Sequence, residues 1–306
     1  MTTFLRCARH AALPLERRCR GRLDLAPGAN MIWSFVLCAL MAAPAIAGPP
    51  RRVVSQTVGT DELLLALADP AQIAALSHLG RDPAFSLNAS GAAAYPKLKS
   101  SDAESVIFFR PDLVLAASYT EAPTLALLRR AGVALIVVDR FESLEDVYAN
   151  IRIIGAALGH PDRGEELVRS TQRRVAELAR KLRGLRPVRV LAVSAYPFTA
   201  GSQTTFQDLC DHAGAVNVAA EAGLVGHGST PEEKLLTWNP EVLIASDTEG
   251  PGLEARLRQM PAYRHLPALQ AGRLVLLPGP LLASVTHHRV EAFEALARKL
   301  HPERFR

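Results

Sequence analysis

The sequence predicts an α/β protein made of two like lobes with parallel sheets, bridged by a single long α-helix. Three observations predict it. One stretch occurs twice, at residues 102–118 and 231–247. Apolar runs of strand length alternate with helical patterns on both sides of each copy, the order expected of a parallel sheet. Between the copies lies a long amphipathic run, from Asp162 to about Leu182.

The repeat sets the lobes. In each copy a glutamate (Glu104, Glu233) stands seven residues before a proline (Pro111, Pro240), and an acid with an apolar run follows at 112–117 and 241–245. A carboxylate near a helix N-terminus is favoured by the helix dipole. Proline then stops the helix, and the apolar run suits a strand buried on both faces. Downstream, Ala131-Gly132 leads into 133–138 and Ala271-Gly272 into 273–277. Upstream, the runs 53–57 and 188–194 are each followed by a loop and a helix. Self-similarity on this scale means two copies of one unit.

In chain order, 51–57 reads as a strand and Thr60 as the N-cap of the helix after it. Residues 73–77 form a second strand, 78–83 a polar loop, and 85–95 a long, weakly structured segment. Strand 112–117, helix 123–131 and strand 133–138 complete the first lobe. Residues 143–158 are amphipathic, Gly159-His160-Pro161 breaks the run, and Asp162 caps the next helix. Its roughly twenty-one residues would span about 31 Å, enough to cross between domains. The arginines and lysine along it read as a solvated face, with no nucleic-acid role. In the second lobe, 188–194 is the opening strand, 221–230 a flexible loop, and 287–300 the closing helix.

Composition fits a globular chain, with 49% apolar and 21% charged residues. The net charge of +5 is uneven, because residues 1–47 hold six arginines and two acids. The remainder is nearly balanced, which argues against a nucleic-acid partner. An apolar segment at 31–43 followed by Ala45-Ile46-Ala47 has the pattern of a cleaved secretory signal. Residues 1–47 are therefore expected to be removed, leaving a lobe at 48–159, a bridge at 160–185 and a lobe at 186–306. Met31 is an alternative start. Cys7, Cys19 and Cys38 fall in the removed segment, and Cys210 is expected as a small buried residue.

At this point the chain resembles a family. The two repeats, the segment 201–217, Pro261-Ala262-Tyr263 and the stretch 273–278 are similar to those of periplasmic substrate-binding proteins of ABC importers for cobalamin, haem and ferric siderophores. The resemblance covers residues 51–300. It implies two Rossmann-like lobes on one rigid helix, a periplasmic monomer with no permanent cofactor, and a permease partner at the inner membrane. It also implies that a surface glutamate on each lobe pairs with permease arginines, and by position these are Glu104 and Glu233. The plainer reading of both is a helix N-terminal acid.

Ligand contacts are expected in loops beyond strand ends, where open α/β sheets bind ligands. The first lobe offers Thr57, Tyr95, Tyr119 and Arg140, the second Tyr196, Phe198 and His227. Aromatic faces suit a flat macrocycle, and Tyr95 or His227 would be the axial donor if the ligand is haem. Haem-binding members carry a tyrosine just before the first repeat, but the position here corresponds to Lys97. Trp238 reads as core, and His287-His288 as the opening of the last helix. The rival reading is a tetrapyrrole-handling enzyme of chelatase type, but no acid–base pair stands at motif spacing. Binding, a small closure and handover to the importer are the expected activity.

Overall fold

The computed structural model describes residues 48–230 and 232–306. The expected export signal, with Cys7, Cys19 and Cys38, lies outside the described residues. No helix among the described residues is long and apolar enough to cross a membrane.

The first lobe runs β1 (Val53–Ser55), α1 (Val58–Leu67), β2 (Ile73–Ala75), α2 (Ala89–Ala92), α3 (Ala103–Ile107), β3 (Leu113–Ala117), α4 (Ala122–Arg130), β4 (Ala134–Val138) and α5 (Leu144–Ala157). Its sheet is parallel, in the order β2-β1-β3-β4. After α6 (Pro161–Leu182) the second lobe follows with β5 (Val188–Ala192), β6 (Phe198–Ala200), α7 (Thr205–Ala213), β7 (Ala215–Asn217), α8 (Val218–Glu221), β8 (His227–Ser229) and α9 (Glu232–Trp238). It ends with β9 (Val242–Ser246), α10 (Leu253–Gln259), α11 (Pro267–Gln270), β10 (Leu274–Leu277), α12 (Gly279–Leu282) and α13 (Arg289–Leu300). Its sheet is also parallel, in the order β10-β9-β5-β7. Reading β5, β7, β9 and β10 as the lobe's first to fourth strands gives the order of the first lobe. The sequence repeat is a repeat of topology.

Several local expectations are corrected. Thr57, not Thr60, is the N-cap of α1, and Thr60 completes the capping box from the N3 position. His160 precedes α6 and Pro161 opens it, so Asp162 lies in the first turn and is not the cap. The segment 85–95 contains the short helix α2. The segment 221–230 contains β8, which pairs antiparallel with β6. The last helix opens at Arg289, two residues later than its histidine pair suggests.

Alternate strand residues face different cores. Val53, Leu113 and Leu115 join a large cluster with α1, α5, α6, α7 and α13, while Val54 and Val114 pack outward with Val106 and Leu128. The large cluster holds residues of both lobes, Leu64 and Ile151 from one and Cys210 and Phe293 from the other. Cys210 is buried and free, and burial raises its thiol pKa well above the ordinary value. The helix α6 carries Val168 and Leu178 into this core. Its outer face is laced with ion pairs, including Arg173–Glu166 and Lys181–Glu177. It crosses α5 closely, since a Cβ on Gly155 would lie 3.2 Å from the His160 carbonyl and 3.3 Å from Gly164 Cα.

Buried polar groups tie the lobes together. The Arg289 guanidinium, 2% exposed, donates to the Phe141 carbonyl (2.6 Å), the Glu142 carbonyl (3.0 Å) and Asp208 Oδ2 (2.9 Å). Asp208 in turn accepts from the Leu144 amide at 3.1 Å. Thr286 Oγ1 donates to Glu62 at 2.7 Å from the opposite lobe.

Candidate ligand cleft and docking faces

Parallel strands end together, so the loops after β1, β2 and β3 gather at one edge, where the strand order reverses. A cavity of about 350 Å³ lies there, lined by Gln56, Thr57, His78, Ser101, Tyr119 and Glu121 among others. The capping box of Thr57 and Thr60 fixes the turn from β1 into α1, which places Thr57 and Val58 on the cavity wall. Gln56 is 3% exposed. Its Nε2 donates to the Ser101 carbonyl at 2.7 Å, which fixes the amide orientation, and Oε1 is left buried without a partner. His78 Nδ1 is likewise buried and unpaired. An unsatisfied buried polar atom costs about 1–3 kcal/mol, so both atoms gain from a group that pairs with them. Tyr119 is 61% exposed and rests edge-on against Phe141, with ring centroids 5.9 Å apart.

Beneath this wall, burial raises the Asp61 carboxyl from 3.8 to about 7, although Ser55 and Ser77 hydrogen bonds pull the other way. The neighbouring Glu62 is also raised, mainly by burial. Both carboxylates accept specific bonds, Asp61 from the Ser77 amide at 2.9 Å and Glu62 from Thr286 and the Leu87 amide.

A second cavity, about 450 Å³, lies between the lobes. Ala84 and Phe85 line it from the first lobe, and Ser246, Thr248, Gly279 and Leu282 from the second. The second-lobe residues sit at the C-terminal ends of β9 and β10. The C-terminal end of the second sheet therefore faces the first-lobe loop that follows β2.

Of the seven ligand candidates, Thr57 and Tyr119 come together in the first cavity. Tyr196 and Phe198 follow β5 and are 76% and 47% exposed, but line neither cavity. Tyr95 is half-buried and packs against the main core. Arg140 is taken up by Asp146 at 2.8 Å. His227 is not on a free glycine-hinged loop. It pairs opposite Ala200 in the β6–β8 ladder, with its side chain exposed. Gln56, His78, Glu121 and Phe85 are among the cavity residues that pattern reasoning missed. The available signal was position, since Gln56 and His78 lie just past strand ends. Among the described residues no three His, Cys, Asp or Glu side chains are arranged to hold a metal ion. His287, one of the histidine pair, is half-buried, and desolvation with the nearby His288 pushes it down to about 4. Trp238 is half-buried against the second-lobe core.

On another part of the surface, Glu104 stands exposed in the first turn of α3, and Glu233 stands exposed near the start of α9. The two occupy corresponding positions in their lobes.

Comparisons with known proteins agree with this architecture. An uncharacterized ABC transporter substrate-binding lipoprotein, YvrC of Bacillus subtilis, is 24% identical over 213 residues, 66% of this chain and 66% of that protein. The molybdate-binding protein MolA of Haemophilus influenzae is 25% identical over 234 residues, 68% of this chain and 66% of that one. The match thus spans about two thirds of these relatives. The periplasmic haem-binding protein BhuT, solved with two haems, superposes with a TM-score of 0.72 at 25% identity, covering 84% of this chain and 100% of that one. The periplasmic binding protein family matches residues 53–281. Two parallel lobes of one topology, a single bridging helix and a shared cleft place the chain in that family, and it is a periplasmic binding protein by descent.

Proposed function

We propose that this chain is a periplasmic solute-binding protein that takes up one metal chelate (cobalamin, haem or a ferric siderophore) between its lobes and delivers it to an ABC importer at the inner membrane. The observation that carries the reading is the cavity between the lobes, with Phe85 on one wall and Thr248 and Leu282 on the other. Concave, largely apolar sites with a few placed polar groups are what small-molecule ligands occupy. The relatives support solute binding and differ in ligand, one named for molybdate and one for haem. Tyr119 at the first cavity and Phe85 on the wall of the second favour a flat, partly apolar ligand over a small oxyanion. If the ligand is haem, His78 is the axial donor to test first, because it lines the first cavity while Tyr95 and His227 line neither.

The signal at 1–47 belongs to the same reading: mature protein begins near Gly48 and works as a monomer outside the cytoplasm. The test is an absorbance spectrum of protein isolated from its native periplasm, followed by titration with haemin, cyanocobalamin and a ferric siderophore. Binding of one of them is expected. Failure of all three below about 100 μM, roughly −5.5 kcal/mol, rejects the chelate class, and tight molybdate binding in their place would replace it. A native N-terminus at residue 1 or 2 would reject export.

A further inference from the structure

The two lobes share a detail that their role in ligand binding does not require. The helix that carries the exposed glutamate ends the same way in each. Arg110 and Asn239, the residues before Pro111 and Pro240, are two of three non-glycine residues with left-handed backbone among the described residues, at φ 47° and φ 46°. Such a conformation costs of order 1–3 kcal/mol and persists only where the surroundings enforce it. An arginine from the lobe's first strand region enforces it in both. Arg52 donates to the Phe109 carbonyl (2.6 Å and 3.1 Å) and the Arg110 carbonyl (3.2 Å). Arg189 donates to the Trp238 carbonyl (2.8 Å) and the Asn239 carbonyl (3.3 Å). The backbone behind each arginine is tied in the same way, by the Asp112 amide to Arg52 and the Glu241 amide to Arg189. The guanidinium thus meets bare carbonyls at or just past the end of each helix, where positive charge is favoured.

These helices are too short to persist without such support. What the support presents is also duplicated. Phe108, one turn after Glu104, is 79% exposed, and Leu236, one turn after Glu233, is 52% exposed. Spacings of four and three residues put carboxylate and apolar side chain on one face of each helix. Neither glutamate has an ion-pair partner among the described residues.

Beyond the glutamate pairing that the family resemblance implies, we propose that each lobe presents a bare apolar side chain beside its carboxylate (Phe108 beside Glu104, Leu236 beside Glu233), on a short helix locked from behind by Arg52 or Arg189, as one preformed docking element. This rests on the delivery reading above. The element fits a partner surface on which a basic side chain borders an apolar recess. Because one chain shows the element twice in related lobes, it fits a partner that offers that surface twice, a two-fold assembly of membrane subunits. The carboxylates steer and orient the encounter, and the apolar contacts slow its dissociation. Arg52 and Arg189 are positioning residues in this scheme, since lysine, with one nitrogen on a flexible stem, lacks the rigid Nε and Nη2 fork that holds the two carbonyls.

The experiment places a photo-crosslinking amino acid at position 108 or 236 of the full-length chain in intact native cells. Ile153, an exposed apolar residue on α5, serves as control position. Positions 105 and 234, adjacent to the glutamates, report docking itself. Positions 108 and 236 are expected to give adducts with the same membrane-spanning importer subunit, at least tenfold above position 153. Arg52→Lys is expected to lower the yield at 108 severalfold and leave 236 unchanged, with Arg189→Lys doing the reverse. General destabilisation would not produce that lobe-by-lobe pattern. Adducts at 105 and 234 without adducts at 108 and 236 overturn the apolar half. Equal effects of either lysine variant on both positions overturn the positioning role. No importer adduct from any of the four positions overturns the proposal together with the delivery reading.

Discussion

At the scale of single residues, burial decides which side chains can act. Asp61 lies 0% exposed under the cleft wall, and its carboxyl is raised from 3.8 to about 7 by burial. A raised acid pKa means that the folded state prefers the proton. The stability it contributes is fully present below the unfolded value near 4 and is lost as pH rises through about 7. Asp61→Asn stays neutral, so thermal melts at pH 4.5 and 7.5 should show wild type losing stability relative to the variant at the higher pH. No relative change would mean Asp61 titrates normally. Tyr119 lines the first cavity, and Tyr196 stands exposed past the end of β5, so the two are the aromatic candidates for ligand contact. Replacing both by Ala should weaken binding of the native solute by at least tenfold, about 1.4 kcal/mol, in calorimetric titration. An unchanged affinity would put the ligand elsewhere.

At the scale of elements, close crossings and duplicated turns set the geometry. The α5–α6 crossing depends on Gly155 and Gly164, each of which would crowd backbone if it bore a Cβ. Gly155→Val should cost about 1–3 kcal/mol in urea denaturation, the usual penalty of overpacking. A variant as stable as wild type would show that the helices separate freely. The turn glycines Gly132 and Gly272, at φ 72° and φ 65°, end corresponding helices before β4 and β10. Left-handed turns of this kind need glycine, which is why the Ala-Gly pairs were visible in the sequence before any strand was placed.

At the scale of the whole molecule, the lobes are joined by more than their helix. Arg289 holds Asp208 and the carbonyls of Phe141 and Glu142 in a buried set that spans both lobes. Removing one partner leaves the other charge buried, so Arg289→Ala should destabilise by about 3–5 kcal/mol. Pairing it with Asp208→Leu should recover part of that loss, and strict additivity in the double variant would argue against coupling. A single helix, a core common to both lobes and these bonds also make a stiff hinge. Small-angle scattering should therefore show no resolvable change in radius of gyration between the ligand-free and loaded protein. A clear contraction would require a different hinge.

The sequence by itself determined the two-lobed α/β architecture, the parallel strands, the bridging helix and the matched positions of Glu104 and Glu233. These follow from periodicity, prolines and glycines, which act on neighbours along the chain and leave a local trace. Only the tertiary structure decided which side chains line the cavities. Tyr95, Arg140 and His227 carry suitable chemistry, yet packing, an ion pair and a strand ladder place them away from both cavities. Gln56 and His78 look unremarkable in the chain, and matter because folding buries one atom of each beside the cavity without a partner. The arginine behind each glutamate-bearing helix was equally invisible. Arg52 and Arg189 meet their carbonyls across some fifty residues of chain, and a contact at that separation exists only once the sheet has brought its strands together.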